Sequence, residues 1–281
     1  MSSGTENSSI TRTAEERYLD LVAACVTGSV FAERFYQLRF RRRSWRAFLL
    51  APFAAALRTK DIYLFREQEA TGSGWRAWPD SVLTMIGQGG IANIRSCLER
   101  VLHDNIAGDF IEAGVWRGGA CIFAKAFLDS VGSEKNVWVA DSFQGVPPPN
   151  AAKYPADVGD KLYRTPELAV SYEDVAASFK RFGLLDGRVK FLRGWFRDTL
   201  PTAPIEKLAV LRLDGDLYES TWDTLTSLYP KLSSGGFCII DDYHDLPACT
   251  QAVEDFRAKY GIVEEIQPID ESSEGCYWRK S

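Results

Sequence analysis

Residues 208–221 read "LAVLRLDGDLYEST": an apolar run that ends on two aspartates, Asp214 and Asp216, around a single glycine. A second apolar run, residues 235–245 ("GGFCIIDDYHD"), ends in the same way on Asp241 and Asp242. Each run has the length and the composition of a buried strand. We interpret both as strands that end in carboxylates, a pattern that one shared site would explain.

Around these two runs, strand-like and helix-like segments alternate from about residue 80 onwards. The other strand-like segments are "GDFIEAGV", "NVWVADSF" and "RVKFLRGWF". Apolar strands that alternate with helices predict a parallel sheet covered by helices on both faces. Residues 262–281 read as two strands joined by a Ser/Gly turn, which adds an antiparallel hairpin. The predicted fold is therefore α/β, with a doubly wound, mostly parallel sheet of seven strands.

The composition is ordinary for a globular protein, since 46% of the 281 residues are hydrophobic and 25% are charged. A net charge of −5 argues against a general nucleic-acid binder, which usually carries a basic excess. The six cysteines form no CxxC pair and predict reduced thiols rather than disulfides or a zinc site. The amino terminus is polar, and no apolar run reaches the roughly 18 residues that span a bilayer. These features predict a cytoplasmic protein without a membrane span.

The part of the chain before residue 80 is expected to differ from the rest. We predict a disordered tail over residues 1–12 and a helical arm over residues 13–79. Five arginines from Arg39 to Arg46 precede a ten-residue apolar run, Phe48 to Leu57. This element could touch a membrane surface or a nucleic acid, or it could pack on the body of the protein or on a second subunit. We favour packing, because the run is short, internal and interrupted by Pro52.

The ends of the predicted strands deserve inspection, because ligands of an open parallel sheet bind there. The first strand runs into "FIEAGVWRGGA", residues 110–120, and a helix follows. Its glycines let a ligand approach the backbone, and Glu112 suits a ligand with a positive end. The spacing is not GxGxxG, and glycines in such turns are also common for packing reasons. Taken alone, this loop is a weak signal.

The next two strand ends agree with the first. Asp141, about 30 residues after Glu112, occupies the position where such folds place an acid against the ribose hydroxyls of a nucleoside. The same side chain could instead cap the turn that follows it. Gly194 and Trp195 end the third strand, where the tryptophan could cover an adenine or be an ordinary core residue. These three strand ends together favour a nucleoside-containing ligand.

The aspartates of the opening motif are expected to converge on one edge of the sheet. Right-handed crossovers place consecutive strands next to each other, so Asp214 would meet Asp241 and Asp242. Carboxylates that converge repel one another unless they are protonated or bind a cation, and magnesium or manganese prefers such oxygen ligands. Some of these acids could instead be helix caps; Ser220, with Asp223 three residues later, resembles the cap of the next helix.

Two further residues are candidates for catalysis. Asp216 follows the same strand as Asp214 and is placed to act as a general base rather than as a ligand. His244, one of two histidines in the chain, is the other candidate, although a place in a surface loop explains it equally well.

These motifs resemble a known family, the macrocin-type sugar O-methyltransferases of antibiotic biosynthesis. The resemblance covers about residues 80–281 and rests on the segments "LTMIG", "FIEAGVWRGGA", "VWVADSFQGVP", "GWFRDTLPTAP", "LAVLRLDGDLYEST", "GGFCIIDDY" and "GCYWRKS". It implies a class I, Rossmann-like methyltransferase domain over residues 80–281 that depends on S-adenosylmethionine and magnesium. It also implies a glycosylated small-molecule acceptor, methylated on a deoxysugar hydroxyl, and a homo-oligomer.

The resemblance also implies a role for each motif residue. Asp214, Asp241 and Asp242 would bind the metal ion, and Asp216 would be the general base. The methyl donor would lie among Met85, Ile86, Glu112, Ala113, Gly114, Val115, Trp116, Asp141, Ser142, Gln144 and Trp195. The Arg-rich stretch departs from the family pattern and looks like an insertion. The long polar segment at about residues 147–172 is predicted to be a lid over the acceptor.

Two rival functions remain open on the sequence. A glycosyltransferase also uses an Asp-x-Asp motif with a divalent ion, and residues 214–216 satisfy that pattern literally. The position of this motif on the fourth strand, after a Gly-rich loop, favours a methyltransferase instead. The second rival is a non-catalytic protein that keeps the fold and binds S-adenosylmethionine; the complete set of acids argues against it.

Overall fold

The computed structural model describes residues 12–30, 35–37, 65–67, 81–270 and 274–281. The helices are α1 Ala14–Val26, α2 Gly87–His103, α3 Gly119–Ser130, α4 Tyr172–Arg181, α5 Phe196–Thr199, α6 Tyr218–Leu228 and α7 Pro247–Tyr260. The strands are β1 Phe35–Gln37, β2 Phe65–Glu67, β3 Asp109–Ala113, β4 Val137–Asp141, β5 Val189–Arg193, β6 Leu208–Leu213, β7 Leu232–Ile240, β8 Gln267–Pro268 and β9 Cys276–Arg279.

Seven strands form one mostly parallel sheet, in the order β5-β4-β3-β6-β7-β9-β8. The first five in this order run parallel, whereas β9 is antiparallel to β7 and β8 is antiparallel to β9. The chain moves outward from β3 to β5 and then returns to place β6 on the other side of β3. The direction of winding therefore changes between β3 and β6, and ligands of such sheets bind at this switch point. The predicted fold class is confirmed.

A hydrophobic layer covers each face of the sheet. On one face, buried side chains from α1 to α4, such as Leu19, Ile94 and Phe123, pack against the strands. On the other face, α6 and α7 contribute Leu225 and Phe256. Burying a side chain of this size stabilises the fold by about 1.5–3 kcal/mol. These two layers fix the positions of the strands, and thereby the positions from which the loops at their carboxyl ends begin.

The amino-terminal arm is helical at its start, as predicted. Helix α1 begins with a capping box in which Thr13 and Glu16 satisfy each other's backbone N–H groups, and its apolar side packs on α3. The arm also contains β1 and β2, a two-stranded antiparallel sheet that the helical interpretation did not predict. Residues 1–11, the Arg-rich stretch and the apolar run 48–57 lie outside the described residues.

The composition predicted reduced cysteines and no membrane span, and the described residues can be compared with both predictions. All six cysteines are free thiols, and five of them are buried. Across the ranges that the structure describes, no helix combines the length and the hydropathy that a membrane span requires.

Candidate active site at the carboxyl edge of the sheet

Four loops meet where β4, β3, β6 and β7 end. The backbone N–H of Gly114 donates to the carbonyl of Ala140 at 2.9 Å, and that of Asp214 donates to Ala113 at 2.8 Å. In the same way, Asp241 donates to Leu213 at 2.9 Å. Each loop therefore begins in register with the strand beside it. The residues that follow these four strands form one continuous row along the edge of the sheet.

Three carboxylates of this row form a tight cluster. One side-chain oxygen each of Asp214, Asp216 and Asp242 lies within 4.8 Å of the other two. The backbone N–H of Asp216 donates to Asp242 Oδ2 at 3.3 Å, which fixes the two loops relative to each other. Asp216 has a φ of +59°, a left-handed conformation that is uncommon outside glycine and that occurs often at functional sites.

The electrostatics of this cluster fit a cation. Burial, followed by repulsion from Asp241, raises the pKa of Asp214 well above its usual range and raises the pKa of Asp216 to about 7. Burial and the charge of Asp216 raise the pKa of Asp242 in the same direction. The carboxylates repel one another at this spacing, and the charge of Arg212 offsets this repulsion at Asp214 and Asp242 only in part. Hard divalent cations prefer oxygen ligands of this kind, so the residues present fit magnesium or manganese.

The structure places Asp241 differently from its predicted partners. Asp241 follows β7 directly, but its Oδ1 accepts a hydrogen bond from the guanidinium of Arg212 at 2.5 Å. Asp216 rather than Asp241 thus shares the three-oxygen cluster with Asp214 and Asp242. The predicted division between metal ligands and general base therefore stays a prediction, and Asp241 pairs with Arg212, as Asp214 does.

Arg212 was not among the predicted site residues. Its side chain is 1% exposed and contacts Glu112 Oε1 at 2.5 Å and Asp214 Oδ2 at 3.1 Å, in addition to Asp241. A charged residue is almost never fully buried unless it is paired. An arginine between Leu211 and Leu213, inside an apolar strand, was a signal that could have identified it from the sequence.

The side chain of Glu112, at the start of the Gly-rich loop, contacts two other side chains of the protein. One carboxylate oxygen accepts from Arg212, and the other accepts from the thiol of Cys121 at 2.9 Å. Burial raises the pKa of Glu112, while Arg212 opposes that shift. Both oxygens of Glu112 thus have partners within the protein, and the predicted contact with a positively charged donor stays a prediction.

Asp141 organises the loop that follows β3. Its Oδ2 accepts from the backbone N–H of Val115 at 2.8 Å, and its Oδ1 accepts from that of Phe143 at 2.7 Å. The cap of its own turn, one of the two interpretations of Asp141, is therefore present. The hydroxyl of Ser142 also lies 3.5 Å from Oδ1, and the predicted contact of Asp141 with a ribose stays a prediction.

The other residues that were predicted to bind the methyl donor lie near Asp141 and the Gly-rich loop. Ser142, Gln144 and Gly194 line a cavity of about 240 Å³ together with Phe143, Ser171, Tyr172, Glu173 and Arg193. Trp195 follows Gly194 and is only partly buried, which does not fit an ordinary core residue. The segment with Met85 and Ile86 lies beside the Gly-rich loop, because the N–H of Gly119 donates to the carbonyl of Leu83 at 2.9 Å.

His244 lies at the periphery of the row. Its side chain is exposed, its backbone N–H donates to the carbonyl of Glu274 at 2.6 Å, and its ring packs edge-on against Tyr243. This position agrees with the surface-loop interpretation, and a catalytic role for His244 stays a prediction.

The predicted lid contacts the row at two points. Within residues 147–172 the chain forms three short 3₁₀ turns. The indole N–H of Trp116 donates to the carbonyl of Glu167 at 2.9 Å, which joins the lid to the Gly-rich loop. At the second point Asp157 accepts from the backbone N–H groups of Tyr218 at 2.7 Å and Glu219 at 3.1 Å.

Asp157 therefore caps helix α6 from 61 residues away. The sequence predicted Ser220 as this cap, and that prediction is wrong: α6 already begins at Tyr218, and Ser220 lies inside it. The first backbone N–H groups of a helix need an acceptor, and a buried carboxylate from a distant loop provides it here. No local pattern marks such a partner, because Asp157 and the start of α6 are 61 residues apart and meet only in the folded structure.

We expect Asp157→Ala to loosen the lid and to lower the free energy of unfolding by about 2 kcal/mol, since two helix-terminal N–H groups lose their acceptor. Urea unfolding measures the stability. Limited trypsin digestion measures the lid, which offers Lys153, Lys161 and Arg164 as cleavage sites. Asp157→Asn is the matched control, because it keeps one acceptor oxygen and should show a smaller effect. Equal digestion of wild type and Asp157→Ala would contradict this anchoring role.

Gly114 is required for packing. It has a φ of +91°, and a Cβ added there would lie 1.7 Å from the carbonyl oxygen of Asp214. We expect Gly114→Ala to lower the free energy of unfolding by more than about 3 kcal/mol, because backbone strain adds to a clash with the end of β6. Gly132→Ala is the control: its φ is +67° and nothing lies within 4 Å of the added Cβ. Similar urea-unfolding results for both variants would rule out the clash.

Known proteins resemble this chain along nearly its whole length. The family model "Macrocin-O-methyltransferase (TylF)" matches residues 15–280. The demethyldecarbamoylnovobiocin O-methyltransferase of Streptomyces niveus is 44% identical over 278 residues, 98% of each chain. The 8-demethyl-8-(2,3-dimethoxy-alpha-L-rhamnosyl)-tetracenomycin-C 4'-O-methyltransferase of Streptomyces olivaceus is 50% identical over 206 residues, 73% of this chain and 78% of the relative. The solved structure of the O-methyltransferase NovP has a TM-score of 0.78 and 43% identity, and the match covers 95% of this chain and 99% of that one.

These similarities include the functional row as well as the fold. The family match contains every strand end described above, together with the predicted lid and all of helix α1 except its first residue. Identities of 44% and 50% to two O-methyltransferases are far above the level at which only the fold is shared. The chain is therefore a methyltransferase and belongs to the macrocin O-methyltransferase (TylF) family.

Proposed function

We propose that this protein transfers a methyl group from S-adenosylmethionine to a hydroxyl of a deoxysugar on a glycosylated natural product, with the help of magnesium or manganese. The observation that carries the proposal is the row at the sheet edge, where the Gly-rich loop and Asp141 adjoin the carboxylate cluster. The name of one relative includes a rhamnosyl group on tetracenomycin C, which supports a sugar acceptor. Family membership supports the donor.

The donor would lie across the ends of β3, β4 and β5. Asp141 is placed at the end of the strand next to the Gly-rich loop, where an acid can accept from the ribose hydroxyls of a nucleoside. Gly194 has a φ of +141°, and its N–H donates to the carbonyl of Asp141 at 2.9 Å, so the two strand ends stay in register. Ser142 and Gln144, on the wall of the adjoining cavity, would contact the nucleoside.

The acceptor hydroxyl would be activated at the ends of β6 and β7. A sugar hydroxyl holds its proton tightly at neutral pH, so it needs a group that accepts the proton as the new bond forms. A divalent cation, held by Asp214 and Asp242 with Asp241 as the predicted third ligand, would lower the pKa of that hydroxyl. Asp216 lies beside these ligands and would accept the proton as general base. The rest of the rate would come from the alignment of the two substrates.

The proposal also gives a role to the catalytic domain, to the lid and to the amino-terminal arm. Residues 80–281 would form the catalytic domain, with residues 147–172 as the lid over the acceptor. The arm before residue 80 would contribute to a homo-oligomer. Tyr18 and Leu21 support this role, because both are large apolar side chains on α1 with exposed fractions of 40% and 53%.

Calorimetry with S-adenosylhomocysteine tests the donor half of the proposal. We expect the nucleoside to bind the wild type equally well with magnesium and with EDTA, because the donor and metal sites are separate. Mass spectrometry would then detect methyl transfer to glycosylated natural products in the presence of magnesium. Absence of nucleoside binding would contradict the proposal. Binding of uridine nucleotides instead would favour the glycosyltransferase, and binding without any turnover would favour the non-catalytic protein.

A further inference from the structure

We infer that Arg212 is a positioning residue for the metal site: it holds Asp214 and Asp241 in place before the cation arrives and links them to the Gly-rich loop through Glu112. The inference rests on the proposed function, since it requires that a divalent cation bind at this edge. Arg212 would act through the carboxylates that it contacts, rather than directly on the donor or on the reacting oxygen.

The position of Arg212 in the sheet makes these contacts possible. Strand β6 lies between β3 and β7, and Arg212 is in register with Glu112 on one side and with Ile239 on the other. Side chains of neighbouring residues in register point to the same face, as do those two residues apart on one strand. Glu112 and Asp214 therefore lie on the face that Arg212 occupies.

The guanidinium bridges carboxylates from three adjacent strands. Its Nη1 contacts Glu112 Oε1 at 2.5 Å and Asp214 Oδ2 at 3.1 Å, and its Nη2 contacts Asp241 Oδ1 at 2.5 Å. The planar fork of an arginine presents donors in fixed directions, so each carboxylate is held at a defined point. A lysine offers a single nitrogen and cannot reach all three in the same way.

The charge of Arg212 has a second consequence. Asp214 and Asp241 are carboxylates at neighbouring strand ends, and like charges repel each other. The guanidinium contacts both of them and carries the opposite charge. It thereby keeps the oxygens apart and in place without occupying the whole of either carboxylate. Outer-shell partners of metal ligands commonly alter metal affinity by about 10–100-fold when they are replaced.

Glu112 extends this network to the donor side. It is 2% exposed, immediately precedes Ala113 and Gly114, and has Arg212 as its ion-pair partner. Through this ion pair Glu112 on β3 fixes Arg212 from the side opposite Asp241, which follows β7. Glu112→Gln keeps a neutral acceptor at this point, so it should weaken metal binding less than a change at Arg212.

Manganese binding to the full-length protein tests the inference. The fraction of free Mn²⁺ during a titration is read from its electron paramagnetic resonance signal, for wild type, Arg212→Lys and Arg212→Met. We expect Arg212→Lys to bind Mn²⁺ about 10–100-fold more weakly and Arg212→Met at least as weakly, because the ligands are no longer held in place. Calorimetry with S-adenosylhomocysteine shows for each variant that the donor site is still folded.

Lys125→Met is the matched control. Lys125 is also a fully buried cation with two carboxylate partners, Asp129 and Asp186, but it lies near the opposite edge of the sheet, beside the loop that enters β5. We expect this variant to lose stability and to bind Mn²⁺ as the wild type does. If the role of Arg212 were purely structural, Arg212→Met would behave like Lys125→Met: it would lose stability and would bind Mn²⁺ as the wild type does.

Two outcomes would overturn the inference, and they are distinguishable. If Arg212→Lys binds S-adenosylhomocysteine and Mn²⁺ with wild-type affinity, Arg212 does not position the ligands and the proposed function is untouched. If the wild type binds S-adenosylhomocysteine but no Mn²⁺, the metal site of the proposed function fails together with the inference. Should Arg212→Met not fold, Arg212→Lys decides the question, because it keeps the positive charge in the core.

Discussion

Asp214→Ala is expected to lower the rate of methyl transfer by about 10³-fold or more, while the affinity for S-adenosylhomocysteine stays within a few-fold of wild type. Asp214 is the one residue that belongs both to the three-oxygen cluster and to the network around Arg212. Its removal would delete a proposed metal ligand and would also leave Arg212 without one of its partners. Loss of metal assistance costs several kcal/mol of transition-state stabilisation, and about 4 kcal/mol corresponds to about 10³ in rate.

Single-turnover methyl transfer to a glycosylated acceptor, followed by mass spectrometry, measures this effect. Asp104→Ala is the control, since Asp104 lies at the end of α2, pairs with Arg279 and is remote from the row. Its rate should stay within about twofold of wild type, as for most surface substitutions away from special features. Turnover that survives in Asp214→Ala at more than about one tenth of the wild-type rate would show that the cluster is not the metal site.

Asp216→Asn is expected to lower kcat by about 10²–10⁴-fold, the usual contribution of a general base. Asparagine has nearly the same shape and tolerates the left-handed conformation of this residue, which has a φ of +59°. The substitution therefore removes the proton acceptor with little change in backbone strain. Stopped assays at saturating donor and acceptor, compared with Mn²⁺ titrations, separate catalysis from binding.

The comparison of Asp216→Asn with Asp241→Asn decides between the two assignments. If Asp216 is the base and Asp241 a ligand, Asp216→Asn loses kcat with Mn²⁺ affinity near wild type, whereas Asp241→Asn loses Mn²⁺ affinity. The geometry, in which Asp216 rather than Asp241 joins the three-oxygen cluster, suggests the reverse assignment as the alternative result. A wild-type kcat for Asp216→Asn would exclude this residue as the base.

Much of the fold could be predicted because the responsible signals are local. The apolar runs before Asp141, Asp214 and Asp241 identified strands, since buried parallel strands read as continuous hydrophobic segments. The rule that consecutive strands in such folds lie side by side then predicted that the residues after them would meet. The backbone hydrogen bonds between Asp214 and Ala113 and between Asp241 and Leu213 show this arrangement.

The predictions that failed or were missing all concern partners that are distant in the sequence. The start of α6 looked like a Ser220 cap, because capping rules consider only neighbours along the chain, whereas its acceptor is Asp157. The same limitation applies to Arg212, which was missing from the predicted site residues. Its ion-pair partner Glu112 lies 100 residues earlier in the chain.

The sequence by itself thus determined the α/β alternation, the position of the Gly-rich loop and the set of acids at the strand ends. These features follow from composition and periodicity within short windows of sequence, which do not depend on contacts between distant residues. Only the tertiary structure decided which acids share a cluster, which acids pair with Arg212 and which loop caps α6. The physical reason is that a buried charge is stable only beside a partner, and the choice of partner depends on which strands and loops the packed core brings together.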